Sequence, residues 1–465
     1  MYQNRKFGIS RVGDNMARDM TSGNPLPLIF RFFIPLFLGN LFQQLYSMVD
    51  SIIVGKFVGV NALAGVGATG AFNFLILGFA MGACGGFGIM FGQRFGAKDF
   101  KGMRNYIANS YYLTIIISAI LTPITMLYCR KILIVMNTPD EILEDAYRYI
   151  IIILAGIIVS MLYNITAAIL RSIGDSKTPL FALMGASLIN IILDLVFVLV
   201  FHLGTFGVGL ATVISQGVSG IVCMVYMYKK YEVLQFERGE IKIDTIKMVH
   251  LLGTGIPMAL QFSITAIGTI IIQVAVNGLG AIAVAAMTAG GKICMLFNGA
   301  FEMIGMSMAT YCSQNKGALE YGRIRKGVKA SFILMIAACI ITISVVQLLG
   351  HQVALLFIDR SQTQIMSYII LFIRYNSFSF PMLGTLFVLR NTLQGMGYSF
   401  IAMFAGVSEL IGRAAVAFLL VGKLGFEGAC LANPAAWLLA DFILVVSYIY
   451  AVKRMNQYEK ENVLA

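Results

Sequence analysis

The stretch PLFLGNLFQQLYSMVDSIIVG, from Pro35 to Gly55, decides the fold class, because it is apolar over the width of a membrane and still contains an acid. A helix needs about 20 mostly apolar residues to cross the hydrocarbon of a bilayer. A carboxylate such as that of Asp50 is costly there, so an acid within such a stretch usually marks a functional site. The stretch therefore predicts a transmembrane helix that carries a functional acid.

Further apolar windows follow along the 465 residues, with short polar breaks between them. Together with the first, they lie at about 28–54, 62–92, 107–128, 148–170, 178–201, 205–228, 249–276, 282–314, 328–357, 364–392, 398–421 and 427–452. The chain is 58% hydrophobic and 12% charged, with a mean hydropathy of +0.83, which excludes an ordinary soluble protein. Because the windows are continuous apolar runs, they indicate helices rather than the alternating strands of a barrel. The sequence predicts an all-α integral membrane protein with twelve transmembrane helices.

Three pairs of similar segments recur at nearly one spacing and indicate an internal repeat. They are Ile34–Pro35 with Ile256–Pro257, Gly92–Lys98 with Ser313–Leu319, and Leu170–Gly174 with Leu393–Gly397. Because each half contains six helices, both halves enter the membrane in the same direction, as two lobes related by a pseudo-twofold axis. Two such lobes that rock about a central site are the usual basis of alternating access in secondary transporters.

Polar segments divide the chain into five predicted parts. These are a cytoplasmic N-terminal tail over 1–26, an N-lobe over 27–228, a cytoplasmic linker over 229–247, a C-lobe over 248–452, and a cytoplasmic C-terminal tail over 453–465. With the N-terminus inside the cell, most of the 34 Lys and Arg residues fall in cytoplasmic segments, as the positive-inside rule requires. Topology thus explains the net charge of +12, and we expect the cell (inner) membrane as location, a lipid bilayer as surroundings and no nucleic-acid partner.

Several kinds of active site are absent from the sequence. No P-loop motif occurs, so an ion gradient rather than ATP is the expected energy source. The seven cysteines and three histidines show no CxxC motif and no metal-ligand spacing. No constellation of nucleophile, base and oxyanion donors is recognisable either. We therefore expect no enzyme activity and no cofactor, with H⁺ or Na⁺ as the coupling ion.

Four polar residues are predicted to lie at one depth in the outer half of the N-lobe. Asp50 lies well along the first helix, and Asn190 and Asp194 lie one turn apart on one face of the fifth. Thr212 lies in the outer half of the sixth helix. Their oxygens could hold Na⁺, the two carboxylates could share a proton, or the groups could simply bond to each other between helices. Their counterparts in the second half include no acid, so we expect ion coupling in the N-lobe alone; three of them are Ile271, Arg413 and Ala417.

Three further acids within the apolar windows belong to the C-lobe. Glu409 precedes Arg413 by one helical turn, which is the favourable order for an ion pair. Glu302 could be a protonatable coupling group or part of the substrate cavity. Asp441 has no partner nearby in the sequence. Basic residues on other helices could neutralise it, namely Lys292, Arg374 or Arg390.

Pro35 lies inside the first predicted helix, where it removes one backbone hydrogen bond and permits a kink. Such a kink could link protonation of Asp50 to the shape of the cavity. It could equally be a fixed feature of the packing.

The ordered set of these motifs resembles the multidrug and toxic compound extrusion family, MATE, over about residues 25–450. The motifs are Pro35–Gly55, Gly92–Ala97, Leu170–Asp175 and Asn190–Asp194. The resemblance implies a MATE/MOP-type fold and an antiporter that exports mainly cationic or amphipathic compounds in exchange for H⁺ or Na⁺.

The resemblance also implies roles for particular residues, above all to the DinF-like prokaryotic branch of the family. In that branch the matching positions form an N-lobe cation site at Asp50, Asn190, Asp194 and Thr212, with Pro35 as the kink proline. Positions that line the cavity match Gln43, Tyr46 and Asn164, and we place Glu302 in the cavity as well. NorM-like members instead carry acids in the seventh and tenth helices, whereas this chain has Gln261 in the former and no acid in the latter. We therefore do not expect a NorM-type cation site in the C-lobe.

These inferences predict a monomeric, cation-coupled antiporter that exports small amphipathic, cationic organic compounds by alternating access. The alternative is a flippase of lipid-linked precursors, because related two-lobed folds share that task. Such proteins tend to have a basic cavity for pyrophosphate, whereas the acids of this chain favour a cationic substrate.

Overall fold

The computed structural model of the protein describes residues 19–136, 138–355, 358 and 362–464, so residues 1–18 of the predicted N-terminal tail lie outside the described residues. The helices are α1 (Pro25–Ile53), α2 (Val60–Ala68), α3 (Gly70–Gly96), α4 (Phe100–Val135), α5 (Asp140–Ala155), α6 (Ile157–Ser172), α7 (Lys177–Leu195), α8 (Gly204–Lys230), α9 (Thr245–Asn277), α10 (Ala281–Gly317), α11 (Tyr321–Ala354), α12 (Thr363–Phe378), α13 (Phe380–Gly395), α14 (Ser399–Leu419), α15 (Val421–Leu424), α16 (Phe426–Cys430) and α17 (Ala432–Leu464). Helix α17 continues beyond residue 453, where we predicted a tail to begin. The described chain is thus helical almost throughout.

Ten helical stretches in the described part of the chain are long and apolar enough to cross a membrane. Two bent pairs, α5 with α6 and α12 with α13, raise the number to twelve if each pair is one span. This confirms the predicted all-α membrane architecture. The second apolar window is divided at Thr69, however, so that the short helix α2 precedes the spanning helix α3.

The two bends fall at corresponding places in the two halves, the fourth span of each. The first bend, of 51°, lies at Gly156, where an added Cβ would be 2.5 Å from Val213 of α8. The second, of 48°, lies at Ser379, just before Pro381, which cannot donate a backbone hydrogen bond to continue the helix. Close helix packing therefore accounts for one bend and proline chemistry for the other.

The first helix of each half packs against the other half. Ile29 and Phe32 of α1 belong to a buried cluster made mostly of residues from the second half. Leu251 and Ala259 of α9 belong in turn to the buried cluster of the first half. The halves are therefore interlocked by α1 and α9 rather than merely placed side by side.

The segment between the halves is fastened to α4. Arg104 donates two hydrogen bonds to the carboxylate of Glu240, at 2.6 and 2.8 Å, and Asn109 accepts one from the backbone N–H of Asp244 at 2.8 Å. Both Arg104 and Glu240 are buried. We call the end of the bundle where this segment lies the linker end.

The described N-terminal segment 19–24 crosses the linker end from one half to the other. Lys98 of the first half forms an ion pair with Asp19 at 2.6 Å. In the second half, Gln314 accepts a hydrogen bond from the N–H of Met20 at 2.8 Å, and Arg323 donates one to the carbonyl of Gly23 at 2.9 Å. The start of the described chain therefore ties the two halves together at this end.

Candidate functional site

Two acids meet in the first half, far from the linker end. Asp50 lies near the end of α1, and Asp194 lies near the end of α7. Their side chains approach closely enough to interact electrostatically. The structure thus brings together the two carboxylates that the sequence placed at a common depth.

Both helices change to π-helical geometry directly after these acids. The π-helical turns are Val54–Val58 after α1 and Val196–Val200 after α7, and the two turns pack against each other. Single turns of this kind are rare and occur often at functional sites. The two π-helical turns thus lie next to the carboxylate pair, at the same end of α1 and α7.

The polar atoms around the two acids are buried and lack partners. Asp194 is 0% exposed and Asn190 is 1% exposed. Both carboxylate oxygens of Asp194, both amide atoms of Asn190 and Oδ1 of Asp50 have no hydrogen-bond partner among the described residues. An unpaired buried polar group costs about 1–3 kcal/mol. Carboxylate and amide oxygens are hard ligands, so this set fits a bound alkali cation or a shared proton.

Thr212 is less directly involved. Its hydroxyl donates to the carbonyl of Val208 on its own helix at 3.0 Å. A hydroxyl that has given its hydrogen can still offer oxygen lone pairs to a cation. The described contacts of Thr212 do not include either acid.

Two tyrosines flank the carboxylate pair. The hydroxyl of Tyr46 interacts with the side chain of Gln43, and its ring lies near enough to Asp50 and Asp194 to interact electrostatically with both. Tyr149 of α5 lies near both acids in the same way. Tyr149 lies inside the predicted fourth window, 148–170, but was not among the predicted site residues, because a tyrosine in an apolar window does not stand out as an acid does. The run of acids from Asp140 to Asp145 was the available signal that α5 begins earlier.

The other predicted residues of the first half have local roles in the structure. The side-chain amide of Asn164 donates to the carbonyl of Ser160 one turn earlier, at 2.9 Å. Pro35 is buried inside α1, which continues as one helix from Pro25 to Ile53. The proline therefore does not break the helix.

A second group of buried charges lies in the other half. Glu409 accepts a hydrogen bond from Arg390 at 3.0 Å and one from Arg413 at 3.3 Å, so the predicted Glu409–Arg413 pair has a third member. Arg390 also interacts electrostatically with Glu302 and with Asp441. Of the three partners considered for Asp441, Arg390 is therefore the one the structure brings near. We call Glu302, Arg390, Glu409, Arg413 and Asp441 the C-lobe charge network.

Gln261 lies where NorM-like members carry an acid, and its side chain is occupied by another amide. Its Oε1 accepts a hydrogen bond from Nε2 of Gln394 at 2.6 Å, and both residues are buried. No group of three His, Cys, Asp or Glu side chains that could hold a metal ion occurs in the part of the chain that the structure describes. A cation in the first half would therefore rely on amide, hydroxyl or carbonyl oxygens beside the two acids.

Reciprocal contacts close the linker end of the bundle. Gln93 donates its side-chain amide to the carbonyl of Gly395 at 3.1 Å, and Gln314 donates to the carbonyl of Ser172 at 2.8 Å. An added Cβ at Gly96 would lie 1.9 Å from the carbonyl oxygen of Gln314. The two backbones thus touch at this end, whereas the acids lie toward the other.

Comparisons with known proteins agree with this architecture. The MatE family model matches residues 35–196 and 257–419, one segment in each half. The probable multidrug resistance protein YoeA of Bacillus subtilis (strain 168) is 27% identical over 436 residues, which cover 92% of this chain and 94% of the relative. The probable multidrug resistance protein NorM of Thermotoga maritima is 25% identical over 442 residues, covering 91% of each chain.

A solved structure has the same fold. It is described as the outward-facing conformation of a multidrug resistance MATE family transporter of the MOP superfamily. Its TM-score with this chain is 0.88 at 21% identity, covering 95% of this chain and 99% of the other. At this identity the likeness concerns the fold alone.

Proposed function

Because the chain belongs to the MatE (MATE) family, whose model matches more than half of it, we propose that it is an antiporter that exchanges H⁺ or Na⁺ for small amphipathic, cationic organic compounds. The chain is a multi-pass membrane transporter for multidrug efflux, and not an enzyme.

The meeting of Asp50 with Asp194 is the observation that carries the proposal. Two unit negative charges about 4 Å apart repel by about 4 kcal/mol at an effective dielectric constant of 20. Burial adds to this cost, so the pair is most stable when one proton or one Na⁺ neutralises part of its charge. Asn190 offers unpaired amide atoms beside the pair, and the oxygen of Thr212 is the proposed fourth group of the site.

An exchange of cations follows from this charge. The empty site is electrostatically unfavourable, so it holds a coupling ion. The ion leaves only when a structural change lowers the free-energy cost of its release. Movement of Asp50 away from Asp194, on its own helix α1, would reduce the repulsion and release the ion. The proposed kink at Pro35 of α1 is one place where such a movement could occur.

The closed linker end supports alternating access by rocking of two lobes. In this proposal the lobes are residues 27–228 and 248–452, with the linker 229–247 held to the first lobe by Arg104. The hydrogen bonds of Gln93 and Gln314 close the linker end, and in the proposed cycle they exchange for contacts on the opposite side.

The distribution of charge supports a cytoplasmic linker end. Basic residues cluster at the ends of helices there, as the positive-inside rule requires; examples are Arg94, Lys98, Lys101, Arg323, Arg325 and Lys326. Both tails, 1–26 and 453–465, then lie in the cytoplasm of a protein that acts as a monomer in the inner membrane. With the cytoplasmic linker end closed, we assign this arrangement to the outward-facing part of the proposed cycle.

A cationic substrate suits the cavity better than the pyrophosphate of a lipid-linked precursor. The acids Asp50 and Asp194 dominate the first half, and in the second half Arg390 and Arg413 are both bonded to Glu409. The described network thus offers no unpaired basic side chain to bind the pyrophosphate of a flippase substrate. We place Gln43, Tyr46, Asn164 and Glu302 along the substrate cavity.

Dye efflux in everted membrane vesicles tests the proposal. A pH gradient and then a Na⁺ gradient are imposed on vesicles with the natural protein, Asp50→Asn or Asp194→Asn. One gradient should drive export of ethidium by the natural protein, and both variants should lose that drive. Glu144→Gln is a matched control, because Glu144 forms only an exposed pair with Arg148. Export against the gradient by both site variants, at normal membrane levels, would refute the proposal.

A further inference from the structure

The C-lobe charge network contains one carboxylate more than it contains cations. Its acids are Glu302, Glu409 and Asp441, and its bases are Arg390 and Arg413. Glu409 lies between the two guanidinium groups and accepts a hydrogen bond from each. Glu302 and Asp441 therefore share the remaining interaction with Arg390, and one of the two lacks full compensation.

The compensated part of the network is rigid and deeply buried. Glu409 is 3% exposed, Arg413 is 6% exposed and Arg390 is 7% exposed. The guanidinium group of Arg390 also lies over the ring of Phe387, 4.8 Å from its centre. A buried guanidinium held by a carboxylate and a ring has little freedom to follow a second acid. Arg390 is thus a fixed charge, and Glu302 is the more adjustable partner.

Glu302 lies inside the bundle beside this fixed charge and retains some accessible surface. It makes no hydrogen bond to another described residue, although its helix α10 packs tightly on α13. The tight contact lies one turn further on, where an added Cβ at Gly305 would be 2.8 Å from the carbonyl oxygen of Phe387. Helix α10 therefore holds the carboxylate of Glu302 near Arg390, but the carboxylate forms no hydrogen bond with it.

Unpaired amide oxygens lie on the same side of α10. Asn298 precedes Glu302 by one turn, so both side chains share a face of the helix. Asn40 of α1 reaches the same helix, since an added Cβ at Gly299 would be 2.3 Å from its Oδ1. The Oδ1 atoms of Asn298 and Asn40 are buried without a hydrogen-bond partner among the described residues. Buried oxygens without hydrogen-bond donors are best satisfied by a ligand that supplies N–H groups or positive charge.

We propose that Glu302, Asn298 and Asn40 form a second cation subsite that binds the positively charged nitrogen of an organic cation, with Arg390 as the residue that positions Glu302. The inference rests on the proposed function, because it names where the exported cation binds. When no substrate is bound, a proton on Glu302 or Asp441 removes the surplus charge. Arrival of the organic cation displaces that proton to water, so total charge is conserved.

The subsite would also connect the substrate to the ion site. Helix α1 carries Asn40 at the proposed subsite and Asp50 at the carboxylate pair. A substrate that attracts Asn40 acts on the same helix whose position sets the distance between Asp50 and Asp194. The C-lobe thus contributes to substrate binding, whereas the N-lobe contributes the driving ion.

Binding of ethidium to the purified full-length protein tests the subsite. Glu302→Gln should raise the Kd for ethidium about tenfold or more, which corresponds to about 1.4 kcal/mol, whereas Glu302→Asp should retain part of the affinity. Asp50→Asn should abolish ion-driven export, and the exposed control Glu144→Gln should leave the Kd for ethidium within about threefold of the natural protein.

A double-mutant comparison tests Arg390 as a positioning residue. Arg390→Lys should weaken ethidium binding when Glu302 is present and have little further effect in the Glu302→Gln protein, because the two act as a unit. Equal effects in both backgrounds would assign Arg390 a structural role alone.

The two proposals fail in different ways. Unchanged ethidium affinity in folded Glu302→Gln protein overturns the subsite, while loss of ion-driven export in Asp50→Asn still supports the proposed function. Intact ion-driven export in Asp50→Asn overturns the proposed function itself.

Discussion

Gln93 and Gln314 occupy equivalent positions in the two halves, and each donates its side-chain amide to a backbone carbonyl of the opposite half. The acceptors, Gly395 at 3.1 Å and Ser172 at 2.8 Å, are themselves equivalent in the repeat. The internal repeat of the sequence therefore reappears as a two-fold seam across the linker end. A seam built from a few neutral hydrogen bonds can open at modest cost.

Loss of these hydrogen bonds should favour the state in which the linker end is open. Each contributes about 1 kcal/mol, so the double variant Gln93→Ala/Gln314→Ala should shift the equilibrium about tenfold or more. Spin labels at the exposed positions Lys101 and Lys326 would report the distance between the halves. The control Gln235→Ala removes an amide that donates to the carbonyl of Tyr228 at the end of α8, within the first half. An unchanged distance distribution in the double variant would contradict a gating role for the seam.

A side chain in the seam should prevent its closure. Gly96→Ala would place a Cβ 1.9 Å from the carbonyl oxygen of Gln314, and Gly317→Ala would place one 1.8 Å from that of Gln93. Both variants should lose most ethidium export while keeping their helical content. Gly185→Ala is the control, because nothing lies within 4 Å of the added atom. Full export by Gly96→Ala and Gly317→Ala would show that close contact at this end is not required.

The buried contact between Arg104 and Glu240 should contribute stability that disappears in acid. The hydrogen bonds from Arg104 hold the pKa of Glu240 below its usual value of 4.5. A lowered pKa in the folded state contributes stability above the usual pKa, and that stability is lost as the pH falls through the folded value. Glu240→Gln should therefore lower the free energy of unfolding by about 3 kcal/mol at neutral pH, because it leaves Arg104 buried without its main partner.

Unfolding in detergent at neutral and acid pH checks this prediction. The difference between the natural protein and Glu240→Gln should shrink as the pH is lowered below 4.5. Glu237→Gln is a close control, since Glu237 contacts the same guanidinium at 2.9 Å but is largely exposed, so its loss should cost less than about 1 kcal/mol. Equal losses of unfolding free energy for the two variants at neutral pH would argue against a stabilising buried contact between Arg104 and Glu240.

Tyr149 should contribute to coupling through its hydroxyl. The ring lies near both Asp50 and Asp194, where a hydroxyl can stabilise a carboxylate by donating a hydrogen bond. Tyr149→Phe should reduce ion-driven ethidium export several-fold without lowering the Tm. Tyr147→Phe is the comparison on the same helix, because Tyr147 lies instead under the guanidinium group of Arg130. Equal export by the two variants would remove Tyr149 from the site.

The broad architecture could be predicted because membrane insertion leaves a strong pattern in the sequence. Apolar windows and the repeat identified the spans, and the polar residues Asp50 and Asp194 were recognisable because acids are rare in such windows. The bends at Gly156 and Ser379 were not predicted. Hydropathy cannot reveal these bends, because it reflects the composition of a span and not the direction of its helix axis.

The missing details of the site depend on local geometry and on partners distant in the sequence. The sequence of the π-helical turn Val54–Val58, VGKFV, gives no sign that distinguishes it from an α-helical turn. Tyr149 carried no signal because a tyrosine in an apolar window does not stand out as an acid does. The approach of Arg390 to Glu409 joins two different helices, whereas sequence spacing identified only the pair within one helix, Glu409 with Arg413.

Substrate-driven movement of the coupling ion tests the central claim most directly. Proteoliposomes are given a gradient of ethidium but no gradient of H⁺ or Na⁺, and both ions are followed, with an internal pH dye and with ²²Na⁺. The natural protein should move one of the two ions opposite to ethidium, and Asp50→Asn and Asp194→Asn should move neither. Ethidium flux without any counterflow in the natural protein, or undiminished counterflow in both variants, would contradict the account.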